Sequence, residues 1–330
     1  MARLQDGFQR PGDRFLSARE VAAQHKVSYQ TAHRIITELE VEGWLERRES
    51  SGTFVAGRTK RLRGVELWFH PRAKRAGSFG AYLLILLKAA LQEAGVEFVV
   101  RWSRRSVQPG VDYFPVMWEA PEVLAATGRA RRYGLLLNNR PAPGLRASLI
   151  DAVTTDDFSA GVCAAEVFLE HEPHGKSFAV LGGPRDDERS KNRVDGFLRV
   201  LPLARVFYAG SWYVENVPPI AGKVLATRPE GIFCVNDRLA QGILEYCRKR
   251  GIDTPPLIGH DNAPIAEGLH LTTIETPWEE MVGAAVEVTR RRLEGNSGPA
   301  RQVFLAQRPV FRLTHKVNHR RGDQIQTDAH

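Results

Sequence analysis

Gly231-Ile-Phe-Cys-Val235, Asn236-Asp237 and Arg238-Leu-Ala-Gln-Gly-Ile-Leu-Glu-Tyr-Cys-Arg-Lys-Arg250 follow one another without a gap. An apolar run, a polar stop and a helical stretch read as a strand buried on both faces that gives way to a helix. The same alternation runs through the chain from about Gly64. Strands are expected at Val65–Phe69, Glu97–Arg101, Val111–Met117, Tyr133–Asn138, Phe178–Gly182, Val206–Ala209, Gly231–Val235 and Leu257–Gly259. Helices are expected at Tyr82–Ala94, Ser159–Leu169, Arg189–Val200, Arg238–Arg250 and Glu279–Leu293. Buried strands alternating with helices give parallel sheets under helical cover. Asp151–Phe158 reads as the crossing between two such sheets. Ligands of these folds sit at the carboxyl ends of the strands, here in a cleft between two lobes.

The first 64 residues differ in charge. They hold 12 Lys and Arg against 8 Asp and Glu, while the other 266 hold 34 against 30. Half of the net charge of +8 therefore lies in the first fifth of the 330-residue chain, which favours a polyanionic partner there. Ser17-Ala-Arg-Glu20 is a capping box that opens a short helix. After a break at His25-Lys26-Val27, Ser28 opens a second helix whose apolar positions are Ala32, Ile35, Ile36 and Leu39. Trp44–Arg48 and Thr53–Val55 read as two short strands around the turn Glu49-Ser-Ser-Gly52. Helix, turn, helix and hairpin make a small α+β winged helix-turn-helix.

Pro11-Gly-Asp13, Ser17-Ala-Arg-Glu-Val-Ala22, Val27-Ser28, Thr31, Leu39-Glu-Val-Glu-Gly43 and Ser51-Gly-Thr-Phe-Val55 resemble the GntR-type DNA-binding domain. The resemblance implies that the second helix enters the major groove of operator DNA. Ser28, Tyr29, Gln30, Thr31, His33 and Arg34 would face phosphates and base edges. Arg47, Arg48, Ser51 and Gly52 would form the wing. Ser28 also fits a plain helix cap. That family has another helix before the Pro-Gly-Asp stretch; only ten residues precede Pro11, so the expectation is either a truncated first helix or translation that begins upstream of Met1.

The larger part resembles the effector domain of LacI/GalR-type regulators, a two-lobed α/β fold like that of periplasmic binding proteins. The residues that carry the resemblance are Thr155-Asp-Asp157 with Gly161, Phe178-Ala-Val-Leu-Gly-Gly183, Arg193-Val-Asp-Gly-Phe197, Phe233-Cys-Val-Asn-Asp237, Ile258-Gly-His-Asp-Asn262 and Leu271-Thr-Thr-Ile274. A GntR-type reader on such a sensor is similar to the arabinose-repressor architecture. The resemblance implies effector contacts by Arg193, Asn236 and Asp261, with Trp212 against the ligand and Asn138 at a strand end of the first lobe. An Arg fork donates, a carboxylate accepts and an amide does both, which suits adjacent sugar hydroxyls. Arg193 and Asp261 also fit a pair that binds only each other, Asn236 a helix cap at Asp237, and Trp212 a core or interface position.

The expected layout is a DNA reader at 1–62 and an effector domain at 63–314. Its lobes are 63–155 plus 276–303 and 156–275 plus 304–314, with a polar tail at 315–330. The first lobe is reduced, because only Ser103–Gly110 separates two strands where the related family places a helix. The longest uncharged apolar run, Ala81–Leu87, is far below the roughly 20 residues of a membrane helix. Cys163, Cys234 and Cys247 have no ligand spacing, and His171-Glu-Pro-His174 reads as a solvated loop rather than a metal site. No cofactor or metal is expected, and no motif of a hydrolase, P-loop or zinc protease is present. The expected function is a cytoplasmic, non-enzymatic transcription regulator. It binds operator DNA as a homodimer and senses a small-molecule effector, a sugar, with no membrane partner. The alternative is a constitutive DNA binder whose reduced lobe no longer takes a ligand.

Overall fold

The computed structural model describes residues 12–41, 44–48, 51–55, 62–103, 109–141, 149–171, 175 and 177–316. The expected truncated first helix, the His-Glu-Pro-His loop beyond His171 and residues 317–330 of the expected tail lie outside these residues; His315, placed in that tail, is instead buried with its Nδ1 2.8 Å from Thr272 Oγ1.

Ser17 caps α1 (Ala18–His25) as the sequence requires. Its hydroxyl accepts from the Glu20 N–H, and the Glu20 carboxylate accepts from the Ser17 N–H at 2.7 Å. Lys26, in the left-handed region, ends the helix. Ser28 Oγ then accepts from the Thr31 N–H at 3.1 Å and opens α2 (Tyr29–Val41). β1 (Leu45–Arg48) and β2 (Gly52–Val55) pair antiparallel, with Leu45 opposite Val55. Val21, Ala32, Ile36, Leu39, Leu45 and Val55 form a small core of their own.

The rest of the chain builds two six-stranded sheets. The strands of the first are β3 (Gly64–Phe69), β4 (Phe98–Trp102), β5 (Tyr113–Trp118), β6 (Gly134–Leu137), β7 (Ile150–Thr155) and β13 (Gln302–Leu305), in the order β13-β7-β6-β5-β3-β4. The second contains β8 (Phe178–Gly182), β9 (Arg205–Tyr208), β10 (Gly231–Cys234), β11 (Leu257–Asp261), β12 (Thr272–Glu275) and β14 (Pro309–Val310), in the order β14-β12-β11-β10-β8-β9. Within the second sheet β9, β8, β10, β11 and β12 run parallel, and β14 is antiparallel to β12. The helices are α3 (Phe79–Glu93), α4 (Pro121–Arg129), α5 (Asp157–His171), α6 (Glu188–Val200), α7 (Pro218–Leu225), α8 (Asp237–Arg250), α9 (Pro264–Gly268) and α10 (Trp278–Leu293). Among the described residues no helix is long and apolar enough to cross a membrane.

Contacts divide the chain into two units. One comprises residues up to His70, Ala89–Ala152 and Ala285–Arg301; the other comprises Pro71–Lys88, Val153–Ala284 and residues from Gln302 on. The division differs from the expected lobes, because 71–88 and 276–284 group with the second sheet. The rings of Phe79 and Tyr82 lie 4.5 and 4.9 Å from that of Trp278, which ties the two segments to each other.

Two strand bounds and one missed strand are corrected. β5 starts at Tyr113 rather than Val111, whose side chain is 67% exposed. The chain does pass from one unit to the other within the expected crossing at Asp151–Phe158, after Ala152, but the segment also holds a buried strand, β7, followed at once by α5. β11 runs on to Asp261 rather than ending at Gly259. Residues 104–108 of the expected short connection lie outside the described residues, and its described end is held by two charged side chains. Glu66, buried in β3, accepts from Trp68 Nε1 at 3.0 Å and from the Gly110 N–H at 2.9 Å. The Arg132 guanidinium donates to the carbonyls of Pro109, Gly110, Val111 and Tyr113.

Candidate functional site

In the second unit, β10 and β11 are neighbours with Phe233 beside Ile258, so Asn236 and Asp261 emerge together at the carboxyl ends of adjacent strands. Arg193 reaches them from α6. Two glycines make this possible. A Cβ on Gly161 of α5 would lie 2.1 Å from the Arg193 carbonyl oxygen, and one on Gly196 of α6 would lie 2.0 Å from that of Phe158. The helices therefore cross backbone to backbone, and α6 sits low enough to deliver its arginine to the strand ends.

The Arg193 side chain is 4% exposed and fully oriented. Its Nε donates to Asp157 Oδ1 at 2.8 Å, and Nη1 donates to the Val235 carbonyl at 2.7 Å and to Asp261 Oδ1 at 3.5 Å. Among the described residues nothing engages Arg193 Nη2 or Asp261 Oδ2. The pair thus retains one donor nitrogen and one acceptor oxygen, the minimum set for a hydroxyl that both accepts and donates. Asp261 has φ 105°, a conformation rarely held by a non-glycine residue, at a strain of roughly 1–3 kcal/mol. Its carbonyl accepts from Trp278 Nε1 at 3.0 Å and from the Thr276 N–H at 3.1 Å, which holds the turn in place.

Asn236 is drawn into the scaffold at both ends of its amide. Oδ1 accepts from the Leu239 N–H at 2.8 Å as the cap of α8, and Nδ2 donates to the Trp212 carbonyl at 3.1 Å. The helix-cap reading of Asn236 is therefore realised, and one amide hydrogen remains for a ligand. Trp212 is stacked over Gly183, where a Cβ would come within 2.9 Å of the ring. Its indole N–H donates to Asp187 at 3.3 Å, and the guanidinium of Arg193 lies 5.8 Å from its ring centre. Burial pushes the Asp187 carboxyl up, but the charge and hydrogen bonds of Arg189 outweigh it, so Asp187 stays below the usual carboxylate range.

Four residues of this site escaped the sequence reading of ligand contacts: Asp157, Asp187, Asp237 and His260. Asp157, within the quoted Thr-Asp-Asp stretch, is the ion-pair partner of Arg193. Asp237 is completely buried and accepts from Thr273 Oγ1 at 2.6 Å and the Ala263 N–H at 2.7 Å. Burial, and then the charge of Asp261, push its carboxyl well above the usual range. His260 is buried between Asp261 and Gln307; burial, and then the charge of Arg193, hold its imidazole below the ordinary histidine value.

Asn138, at the end of β6 in the first unit, has φ 53° and is 3% exposed. Its Nδ2 is buried with no hydrogen-bond partner among the described residues. A buried amide nitrogen left alone costs about 1–3 kcal/mol, and no described residue offsets that cost here.

In the N-terminal segment Ser28, Tyr29, Gln30, His33 and Arg34 are exposed along one end of α2, and Thr31 is half-buried. Ser28 Oγ also lies 2.8 Å from Thr31 Oγ1, so both hydroxyls serve the cap. Arg34 is only loosely paired with Glu38 at 3.7 Å. In the hairpin, Arg47 pairs with Glu40, and Arg48 pairs with Glu46 and lies 4.5 Å over the Phe54 ring. Ser51 is exposed in the turn, and Gly52 has φ 108°, which only glycine tolerates without strain. Arg14, not singled out in the sequence, bridges to Phe54 and lies against Gly52.

A family model described as a periplasmic binding protein-like domain matches residues 171–315. The arabinose metabolism transcriptional repressor of Geobacillus stearothermophilus is 26% identical over 332 residues, which covers 88% of each chain. The transcriptional repressor PurR of Vibrio parahaemolyticus is 26% identical over 186 residues, so this chain spans 55% of that relative's length. Among solved structures, a LacI family regulator from Enterococcus faecalis with bound ribose superposes with a TM-score of 0.65 at 19% identity, covering 76% of this chain and 98% of that one. A CelR–cellobiose complex superposes with a TM-score of 0.64 at 17% identity over 91% of this chain and 100% of its own. These likenesses establish a two-lobed, periplasmic-binding-protein-like α/β fold for the greater part of the chain.

Proposed function

We propose that the chain is a ligand-responsive transcriptional repressor: a GntR-type winged helix-turn-helix reads operator DNA, and a LacI-type domain senses a neutral sugar. The observation that carries this reading is the Arg193–Asp261 pair. A buried guanidinium and carboxylate, each with one polar atom unused, stand at the strand ends of a chain that also carries an exposed polar helix at its basic end. The repressor from Geobacillus stearothermophilus, similar along 88% of both chains, supports the joining of these two parts. Arg193, Asp157 and Asp261 together leave one surplus negative charge, which favours an uncharged polyol over a sugar acid or phosphate.

The orphan amide of Asn138 supports a first lobe that still contributes to ligand binding, against the constitutive alternative. The effector contacts are Arg193, Asp261 and Trp212, with Asn236 and Asn138 as amide partners. The DNA contacts are Tyr29, Gln30, Thr31, His33 and Arg34 on α2, with Ser28 at its cap, and Arg47, Arg48, Ser51 and Gly52 on the wing. The protein works in the cytoplasm as a homodimer on a two-fold operator, in line with the symmetry of such readers.

The test starts with selection of bound duplexes from a random DNA library with the full-length protein. Fluorescence anisotropy on the selected duplex then follows, with and without L-arabinose, D-ribose and cellobiose. Specific DNA binding that one of these sugars weakens agrees with the reading. No selected sequence, or selection indifferent to every sugar, removes it.

A further inference from the structure

His260 is the penultimate residue of β11 and is wholly buried, yet both of its ring nitrogens have polar neighbours. Nδ1 lies 2.9 Å from Asp261 Oδ1, and Nε2 lies 2.9 Å from Gln307 Nε2. Gln307 belongs to the short link between β13 of the first sheet and β14 of the second. Its Nε2 also lies 3.1 Å from the Glu275 carbonyl oxygen.

Hydrogen-bond chemistry then allows one assignment. A carbonyl oxygen only accepts, so the Gln307 atom facing Glu275 is the amide NH2. An amide nitrogen does not accept, so His260 Nε2 must, and the imidazole proton is on Nδ1. Nδ1–H donates to Asp261 Oδ1, the same oxygen that receives Arg193 Nη1. Donation starts at the Gln307 amide, which gives one hydrogen to the β12 carbonyl of Glu275 and the other to His260 Nε2, and His260 in turn donates to the carboxylate. It occupies Oδ1 and leaves Oδ2.

We propose that His260 and Gln307 are positioning residues for the effector: Gln307 sets the tautomer of His260, and His260 fixes the Asp261 carboxylate so that Oδ2 is presented to the bound sugar. The proposal rests on the reading of Asp261 as an effector contact. The groups facing the imidazole are Asp261, Arg193, Asp157 and the Gln307 amide, and burial with the Arg193 charge disfavours the imidazolium. Protonation of Nε2 would also set two donors against each other, unless Gln307 turned and gave up Glu275. The ring is therefore held neutral, in the tautomer less common in water.

The experiment uses the full-length protein. Long-range 1H–15N spectra at neutral pH, with His260 assigned by its loss in His260→Asn, should show a protonated Nδ1 and a bare Nε2. Gln307→Leu should weaken that preference, because Asp261 Oδ1 then holds the Nδ1 proton alone. Thermal-shift titrations with L-arabinose, D-ribose and cellobiose supply the second readout. For whichever sugar stabilises the wild type, His260→Leu should weaken binding about tenfold or more, the order of a lost hydrogen bond to a charged group. His260→Asn, whose amide N–H can stand where Nδ1–H stood, should recover most of it. A protonated Nε2, an imidazolium, or a His260→Leu variant that binds like wild type overturns the proposal while the effector reading stands. If Asp261→Asn also binds like wild type, or no sugar stabilises the protein, the effector reading fails and the proposal with it.

Discussion

Gly161 lies directly against the backbone of Arg193: a methyl group on the glycine would sit 2.1 Å from the arginine's carbonyl oxygen. The position of the guanidinium is thus set by the helix crossing and not by its side-chain rotamer alone. Gly161→Ala must part α5 from α6. Overpacking of a close contact costs about 1–3 kcal/mol, and here the obstacle is backbone. A lower melting temperature is expected together with a weaker sugar response. Unchanged melting in calorimetry would mean that the helices separate without strain.

A second buried charge pair lies in the first unit. Arg292 of α10 grips Asp151 of β7 with Nε at 2.8 Å and Nη2 at 2.9 Å, and the Arg301 N–H adds a third bond at 2.7 Å. Arg292→Ala leaves Asp151, 1% exposed, as an unpaired buried charge. Loss of one partner of such a pair costs about 3–5 kcal/mol. Urea unfolding should show a free energy lower by that amount, and the double variant Arg292→Leu with Asp151→Leu should regain much of the loss.

This pair also explains what the sequence concealed. β7 reads Ile-Asp-Ala-Val-Thr-Thr, and a strand with an acid at its second position looks like a connection until a partner 141 residues away neutralises it. α4, α7 and α9 are short and open on a proline, so their apolar periodicity had no length over which to register. Most of the parallel strands, though not β7 or β12, and the longer helices were legible as apolar runs or amphipathic stretches; β12 reads Thr-Thr-Ile-Glu and carries no apolar run. Within the site, Arg193 and Asp261 were legible through motif and strand end. His260 was not: a single histidine in Leu-Ile-Gly-His-Asp reads as core, and Gln307 reads as a loop residue. Only the fold brings them together.

The imidazole of His260 makes stability depend on pH in a definite direction. Its folded value is lowered by burial and by Arg193, against Asp261. The unfolded chain therefore binds the proton first as pH falls through about 6.5, and the folded state loses stability below that point. Above it the contribution is fully present. The slope for one such group reaches about 1.4 kcal/mol per pH unit. Unfolding midpoints measured from pH 7 down to pH 5 should fall less steeply in His260→Asn than in wild type.

For the DNA reader, binding is expected to weaken steeply with salt, because each phosphate neutralised by Arg or Lys releases counterions. Gln30, exposed on the first turn of α2, is the expected base contact. Gln30→Ala should cost about 1–3 kcal/mol on the preferred sequence and little on others. Equal weakening on all duplexes would assign Gln30 to the phosphates.

The central claim is that Arg193 and Asp261 receive the effector that governs DNA release. The most direct measurement is operator anisotropy as a function of sugar concentration, for wild type and Asp261→Asn side by side. The account predicts that both proteins bind the operator equally in the absence of sugar. It also predicts that the variant needs at least about tenfold more sugar for release, the factor that corresponds to about 1.4 kcal/mol. Release of Asp261→Asn at the wild-type sugar concentration would contradict it.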